Sequence, residues 1–70
     1  MPDSVYRVTE LVGTSTESWE RAAQAAIETA SGTLRDLRVA EVAELDLTVE
    51  DGKVARFRPR LKLSFKYESE

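Results

Sequence analysis

Along residues 57–68, apolar and polar positions alternate almost without a break. Phe57, Pro59, Leu61, Leu63, Phe65 and Tyr67 share one parity; Arg58, Arg60, Lys62, Ser64, Lys66 and Glu68 share the other. Successive side chains of a strand point to opposite faces, so the stretch predicts a strand with one oily and one cationic face. A weaker pattern over 4–12 predicts a first strand that is apolar on both sides, with Tyr6, Val8 and Val12 on one face and Val5 and Leu11 on the other. Such strands are usually covered on both faces. One helix cannot supply both covers, so the second is expected from another subunit.

Gly13 closes the first strand, and Trp19, Ala23, Ala26, Ile27, Ala30, Leu34 and Leu37 then follow the helical period. Ser15 is the predicted N-cap, with Thr14 and Glu17 as an alternative capping box; the end is expected near residues 35–37. Alanines keep this helix thin, and Gly32 is read as a further aid to close packing on a sheet. Trp19 is expected to be a core or interface anchor.

Residues 38–50 predict the second strand. Its apolar parity flips between Val42 and Ala43, as a β-bulge near residues 41–43 would produce. Asp51, Gly52 and Lys53 suggest a three-residue hairpin loop with Gly52 left-handed. Paired numbers then sum to 104: Asp46 faces Arg58, Glu44 faces Arg60 and Thr48 faces Arg56. On the other side Leu47 meets Phe57, Leu45 meets Pro59 and Ala43 meets Leu61. The last strand can then lie between the other two. The predicted class is α+β, a single domain over 1–70 with β-α-β-β order, a three-stranded antiparallel sheet of order 2-3-1 and one helix across a face. Pro59 donates no ladder bond. It is expected where the hairpin projects beyond the first strand, beside a free edge.

With 70 residues and no cysteine or histidine, the chain has no disulfide frame, no thiolate or imidazole metal site, and no usual general base. Small unstapled domains commonly rely on oligomerisation. Neither a membrane span nor a signal-peptide pattern is present, so a cytoplasmic location is expected.

The stripe Arg56, Arg58, Arg60, Lys62 and Lys66 sits in a chain of net charge −3. The predicted register sets its upper half against the chain's own acids, which argues against a nucleic-acid groove. Lys62 and Lys66 are left unassigned. An interaction module with an anionic partner is the reading that follows if those acids lie elsewhere. Isolated glycines, and serines at a helix start without a partner base, give no enzyme signature.

Taken together, "VYRVTELVGTS" (5–15), a single helix, "LRVAEV" (37–42) and "LKLSFKYE" (61–68) resemble the dodecin family. The resemblance implies a sheet partly wrapped around one helix, a hollow homododecamer, and non-enzymatic binding of small molecules, most often flavins such as FMN or riboflavin. Flavin-binding dodecins stack a tryptophan of the second strand on the flavin ring and use a third-strand glutamine at its edge. Val39 and Arg58 occupy those positions here. Valine offers no π-face, and ring stacking is worth about 1–3 kcal/mol in comparable systems. Weak or lost flavin affinity is therefore expected, with a flavin-binding dodecin using a modified pocket as the alternative. "TSTESWERAA" with "DLRVAEV" looks closer to the branch called calcium dodecin, which lacks that tryptophan. This resemblance implies a calcium-chelating dodecamer. Calcium takes six to eight oxygen ligands, and the candidate donors are Glu44, Asp46, Glu50 and Asp51, or the helix-start Glu17 and Glu20, completed across subunits.

Overall fold

The computed structural model describes residues 3–66. Four elements follow one another: β1 (Tyr6–Val12), α1 (Trp19–Ser31), β2 (Leu37–Glu50) and β3 (Lys53–Lys66). They form one antiparallel sheet of order β1-β3-β2, the order predicted from the sequence. Tyr67 and Glu68, the end of the alternating run, lie outside the described residues.

The inner face of β3 carries the core. Leu61, Leu63 and Phe65 are buried there against Ala26 and Ala30; with Ala22, also buried, these alanines recur every four residues along one side of α1. Alanines at this spacing bring the helix backbone close to the sheet, so the larger β3 side chains fill the gap. Leu11, Ala23, Ile27, Leu34 and Leu37 pack around them.

Both ends of the helix differ from the sequence expectation. The N-cap is Ser18, whose Oγ accepts from the Arg21 N–H at 3.0 Å. Ser15 cannot start the helix because its backbone is committed to extended pairing: its N–H donates to the Phe57 carbonyl (3.1 Å), and its carbonyl accepts from the Phe57 N–H (2.8 Å). Its hydroxyl accepts from the Glu17 N–H instead. The helix stops at Ser31. There the Gly32 N–H bonds the Thr29 carbonyl, while the Thr33 and Leu34 N–H groups both bond Ala30. Leu34 reaches the core from the connecting segment and Leu37 from the first position of β2, both having kept their apolar role without the helical turn.

The hairpin register is the predicted one over its middle: Glu44↔Arg60, Leu45↔Pro59, Asp46↔Arg58, Leu47↔Phe57 and Thr48↔Arg56. The turn that produces it is not the expected three-residue loop. Asp51 and Gly52 both have positive φ (52° and 74°), forming a two-residue turn of the type that suits a twisted hairpin. It pairs Glu50 with Lys53 and Val49 with Val54. The extra residue Ala55 then restores the parity at Thr48↔Arg56. The expected bulge falls at Ala43, so Leu61 faces Val42 rather than Ala43; a further one falls at Arg38.

Pro59 is buried in the central strand, one residue past the last β1 pair, Val12↔Arg60. The edge beside it is not free: the Gly13 N–H donates to its carbonyl at 3.2 Å. Odd-numbered residues of this stretch turn their backbone groups toward β1, as Phe57 and Pro59 show. The donor that proline lacks therefore points beyond the end of β1, and no β2 ladder bond is lost.

Gly13 sits where β1 passes under the helix. A Cβ there would collide with the Ala22 carbonyl oxygen and crowd the Ala26 Cβ at 3.1 Å. Gly32 is different, because it caps the helix at φ −71° and an added Cβ would make only ordinary contact with the Thr29 oxygen at 3.4 Å. The close approach expected of Gly32 thus belongs to Gly13. Gly13→Ala is expected to lower stability by about 1–3 kcal/mol through overpacking. Gly32→Ala is expected to be neutral or stabilising by about 0.4–1 kcal/mol. Urea unfolding of the two variants against the parent measures both.

Candidate functional site

The outer face of the sheet, opposite the helix, carries Val39, Arg58, Glu44 and Asp46 among the residues singled out for function. It is built of lanes running across the strands. Val8, Ser64 and Val39 form one; Glu10, Lys62 and Glu41 the next; Val12, Arg60 and Glu44 the third; Arg58 and Asp46 the fourth. These lanes follow from sequence parity, since even positions of β1 and β3 face outward together.

Charge is neutralised locally along this face. Arg58 donates from Nε (2.9 Å) and Nη2 (3.3 Å) to the two carboxylate oxygens of Asp46, a bidentate pair. Arg60 donates from Nε to Glu44 at 3.2 Å and lies 3.9 Å from Glu10 on the other side. Lys62 is flanked in the register by Glu10 and Glu41, and Arg56 faces Thr48. Sequence reasoning found the Asp46 and Glu44 pairs but missed Glu10, because the β1–β3 register had not been worked out. That register pairs numbers summing to 72, which the facing parities of 6–12 and 60–66 could have revealed.

Trp19 stands at the helix start, half-buried. Its ring meets Phe57 edge-on at a centroid distance of 5.1 Å, and its Nε1–H donates to the Asp46 carbonyl at 3.2 Å. The indole therefore pins the helix to the projecting hairpin and is not displayed for stacking on a ligand.

Val39 is exposed on the outer face, beside Ser64. Arg58 lies on the same face but six residues further along β3 than Ser64, roughly 20 Å away at about 3.3 Å per residue. One subunit cannot bring positions 39 and 58 to a single small ligand. A pocket using both has to draw them from different copies.

The calcium candidates do not converge either. Among the described residues no group of three or more acidic side chains is placed to hold a metal ion. Glu44 and Asp46 are engaged by arginines, Glu50 faces Lys53 at the hairpin end, and Glu17 lies 3.7 Å from Arg21 just ahead of the helix. Glu20 is in the first helical turn, and Asp51 occupies the hairpin turn. The described residues of one subunit do not gather the six or more oxygens calcium takes.

A large apolar surface is left uncovered. Leu45, Leu47 and Val49 share the inner face with Pro59 and Phe57 but lie beyond the helix, and are 53%, 40% and 62% exposed. Tyr6, Val8, Val12 and Val39 are exposed on the outer face. The outer face of strand β1 is thus largely apolar and uncovered, while its inner face carries Arg7, Thr9 and the core residue Leu11.

The Asp46 carboxyl is held below its ordinary value of 3.8, chiefly by the hydrogen bonds from Arg58 and then by the positive charges of Arg58 and Arg60. A depressed carboxyl favours the folded state above its unfolded-state pKa and loses that contribution as pH falls through the folded-state value. Asp46→Asn is therefore expected to be less stable than the parent at neutral pH and to converge with it under acid. Urea midpoints measured across the acid range test this.

The dodecin family model matches residues 5–68. Calcium dodecin of Mycobacterium tuberculosis is 43% identical over 63 residues, covering 90% of this chain and 89% of that protein. Dodecin of Thermus thermophilus is 42% identical over 64 residues, covering 91% and 93%. Among solved structures, dodecin from Streptomyces coelicolor matches all of both chains at 43% identity with a TM-score of 0.91. The crystal structure of M. tuberculosis calcium dodecin, described as having a novel calcium-binding site, matches 96% of each chain at 43% identity with a TM-score of 0.81.

Proposed function

The chain belongs to the dodecin family, and on that premise we propose that it is a non-enzymatic, cytoplasmic binding protein that works as a homododecamer and takes calcium as its ligand. The observation that carries the reading is the uncovered apolar surface. Strand β1 exposes Tyr6, Val8 and Val12 on the outer face, and the inner face of the hairpin runs past the helix at Leu45, Leu47 and Val49. Exposed apolar patches of this kind mark interaction surfaces, and a small cysteine-free domain gains most from covering them with copies of itself.

Calcium is favoured over flavin on two grounds. A relative 43% identical over nine-tenths of the chain is a calcium dodecin. Position 39 offers a valine, and Arg58 is already saturated by Asp46. Because the acids among the described residues of one subunit do not converge, the ion is held by carboxylates of adjoining subunits, drawn from Glu17, Glu44, Asp46 and Glu50. The self-neutralised outer face counts against an anionic macromolecule as partner.

Light scattering after size exclusion is expected to give twelve times the chain mass of 7.8 kDa, and a monomer in dilute buffer would end the reading. Leu47→Asp is expected to reduce the assembly to smaller species by placing a charge on the covered face. Calcium, but not an equal concentration of magnesium, is expected to raise the melting temperature, since a ligand bound only by the native state stabilises it by mass action. Riboflavin fluorescence is expected to stay unquenched; strong quenching would return flavin as the ligand.

A further inference from the structure

Two carboxylates suited by chemistry to a hard cation are already held by the fold. Glu44 and Asp46 stand at alternate positions on the outer face of β2, opposite Arg60 and Arg58 of β3. Carboxylate oxygens are the donors that calcium takes, yet Arg58 closes on both oxygens of Asp46 at 2.9 and 3.3 Å. Arg60 holds Glu44 at 3.2 Å and has Glu10 at 3.9 Å on its other side. Both arginines are half-buried, whereas Arg56, the next outward cation along β3, is exposed and faces Thr48. Among the described residues Arg56 makes no ion pair.

The two pairs are not equivalent. Among the described residues Asp46 is paired with Arg58 alone, through a planar fork and two bonds, the geometry that makes arginine–carboxylate contacts strong. Arg60 is shared, so it keeps Glu10 when it gives up Glu44. The backbone of Asp46 is fixed as well. Its carbonyl accepts from the Trp19 Nε1–H at 3.2 Å, and the strand register sets it directly opposite Arg58. Strand movement therefore does not part the two side chains; rotation of one of them has to.

Resting on the calcium reading given above, we propose that Arg58 is the residue that sets the affinity for the ion: it competes with the cation for Asp46, and the carboxylate becomes a ligand only when the guanidinium lets go. Arg60 opposes the cation at Glu44 in the same way but more weakly, because it has a second acid to fall back on. Removing the fork of Arg58 both frees Asp46 and takes a like charge away from the cation.

Isothermal titration of the intact assembly with calcium chloride, at fixed ionic strength, tests this. Arg58→Gln is expected to tighten binding about three- to tenfold, as loss of one partly exposed ion pair and one nearby positive charge allows. Arg58→Lys, which keeps the charge and loses the fork, is expected to fall between parent and Arg58→Gln. Arg56→Gln removes the same charge from the same face without freeing a carboxylate, and is expected to change affinity by less than about twofold in screening salt. In an Asp46→Asn background, Arg58→Gln is expected to bring no gain. Unchanged or weaker binding in Arg58→Gln, equal tightening in Arg56→Gln, or a gain that survives Asp46→Asn each overturns the proposal and leaves the calcium reading standing. No saturable heat in the parent and in Arg58→Gln alike overturns both. Light scattering of the same samples reports the assembly, and Arg58→Lys carries the test if Arg58→Gln does not assemble.

Discussion

Everything in this fold depends on which residue of β2 faces which residue of β3. With Leu47 opposite Phe57 and Asp46 opposite Arg58, hydrocarbon meets hydrocarbon on one face and carboxylate meets guanidinium on the other. A slip by one residue would put Arg58 and Arg60 under the helix and Leu61 and Leu63 in water, which the core could not survive. The ion pairs add little by themselves, as exposed pairs contribute only about 0.2–1 kcal/mol. Their value lies in making the wrong register costly.

Much of this was legible in the sequence, and the misses have identifiable causes. The four elements, the sheet order and the central register follow from parity and helical period, which are local signals. The hairpin turn was misread because two deviations cancel: a two-residue turn shifts the parity and the extra residue Ala55 shifts it back. Any reading from the flanking pattern sees only the sum. The helix start was misplaced because Ser15 and Ser18 are equally good caps in isolation, and the choice is made by Phe57, distant in the chain, which claims the Ser15 backbone. For the site, Asp46 and Glu44 could be matched to their arginines from one hairpin. The contact of Trp19 with Phe57 and the Asp46 carbonyl could not, since helix and hairpin have to meet before it exists.

The two faces of the sheet divide the tasks between them. The helix seals Leu61, Leu63 and Phe65 and leaves the projecting hairpin bare, so the subunit is closed at one end and open at the other. Its acids are spread in pairs rather than gathered, and its family pocket positions are far apart within one chain. A subunit of this shape holds parts of sites more than sites, and assembly is the step that would bring those parts together.

The contact between Trp19, Phe57 and the Asp46 carbonyl has an optical consequence. This is the only indole in the chain, and it sits on the seam where helix and hairpin join. Its emission therefore acts as a built-in gauge of that seam, shifting red when water reaches the ring, with no label attached.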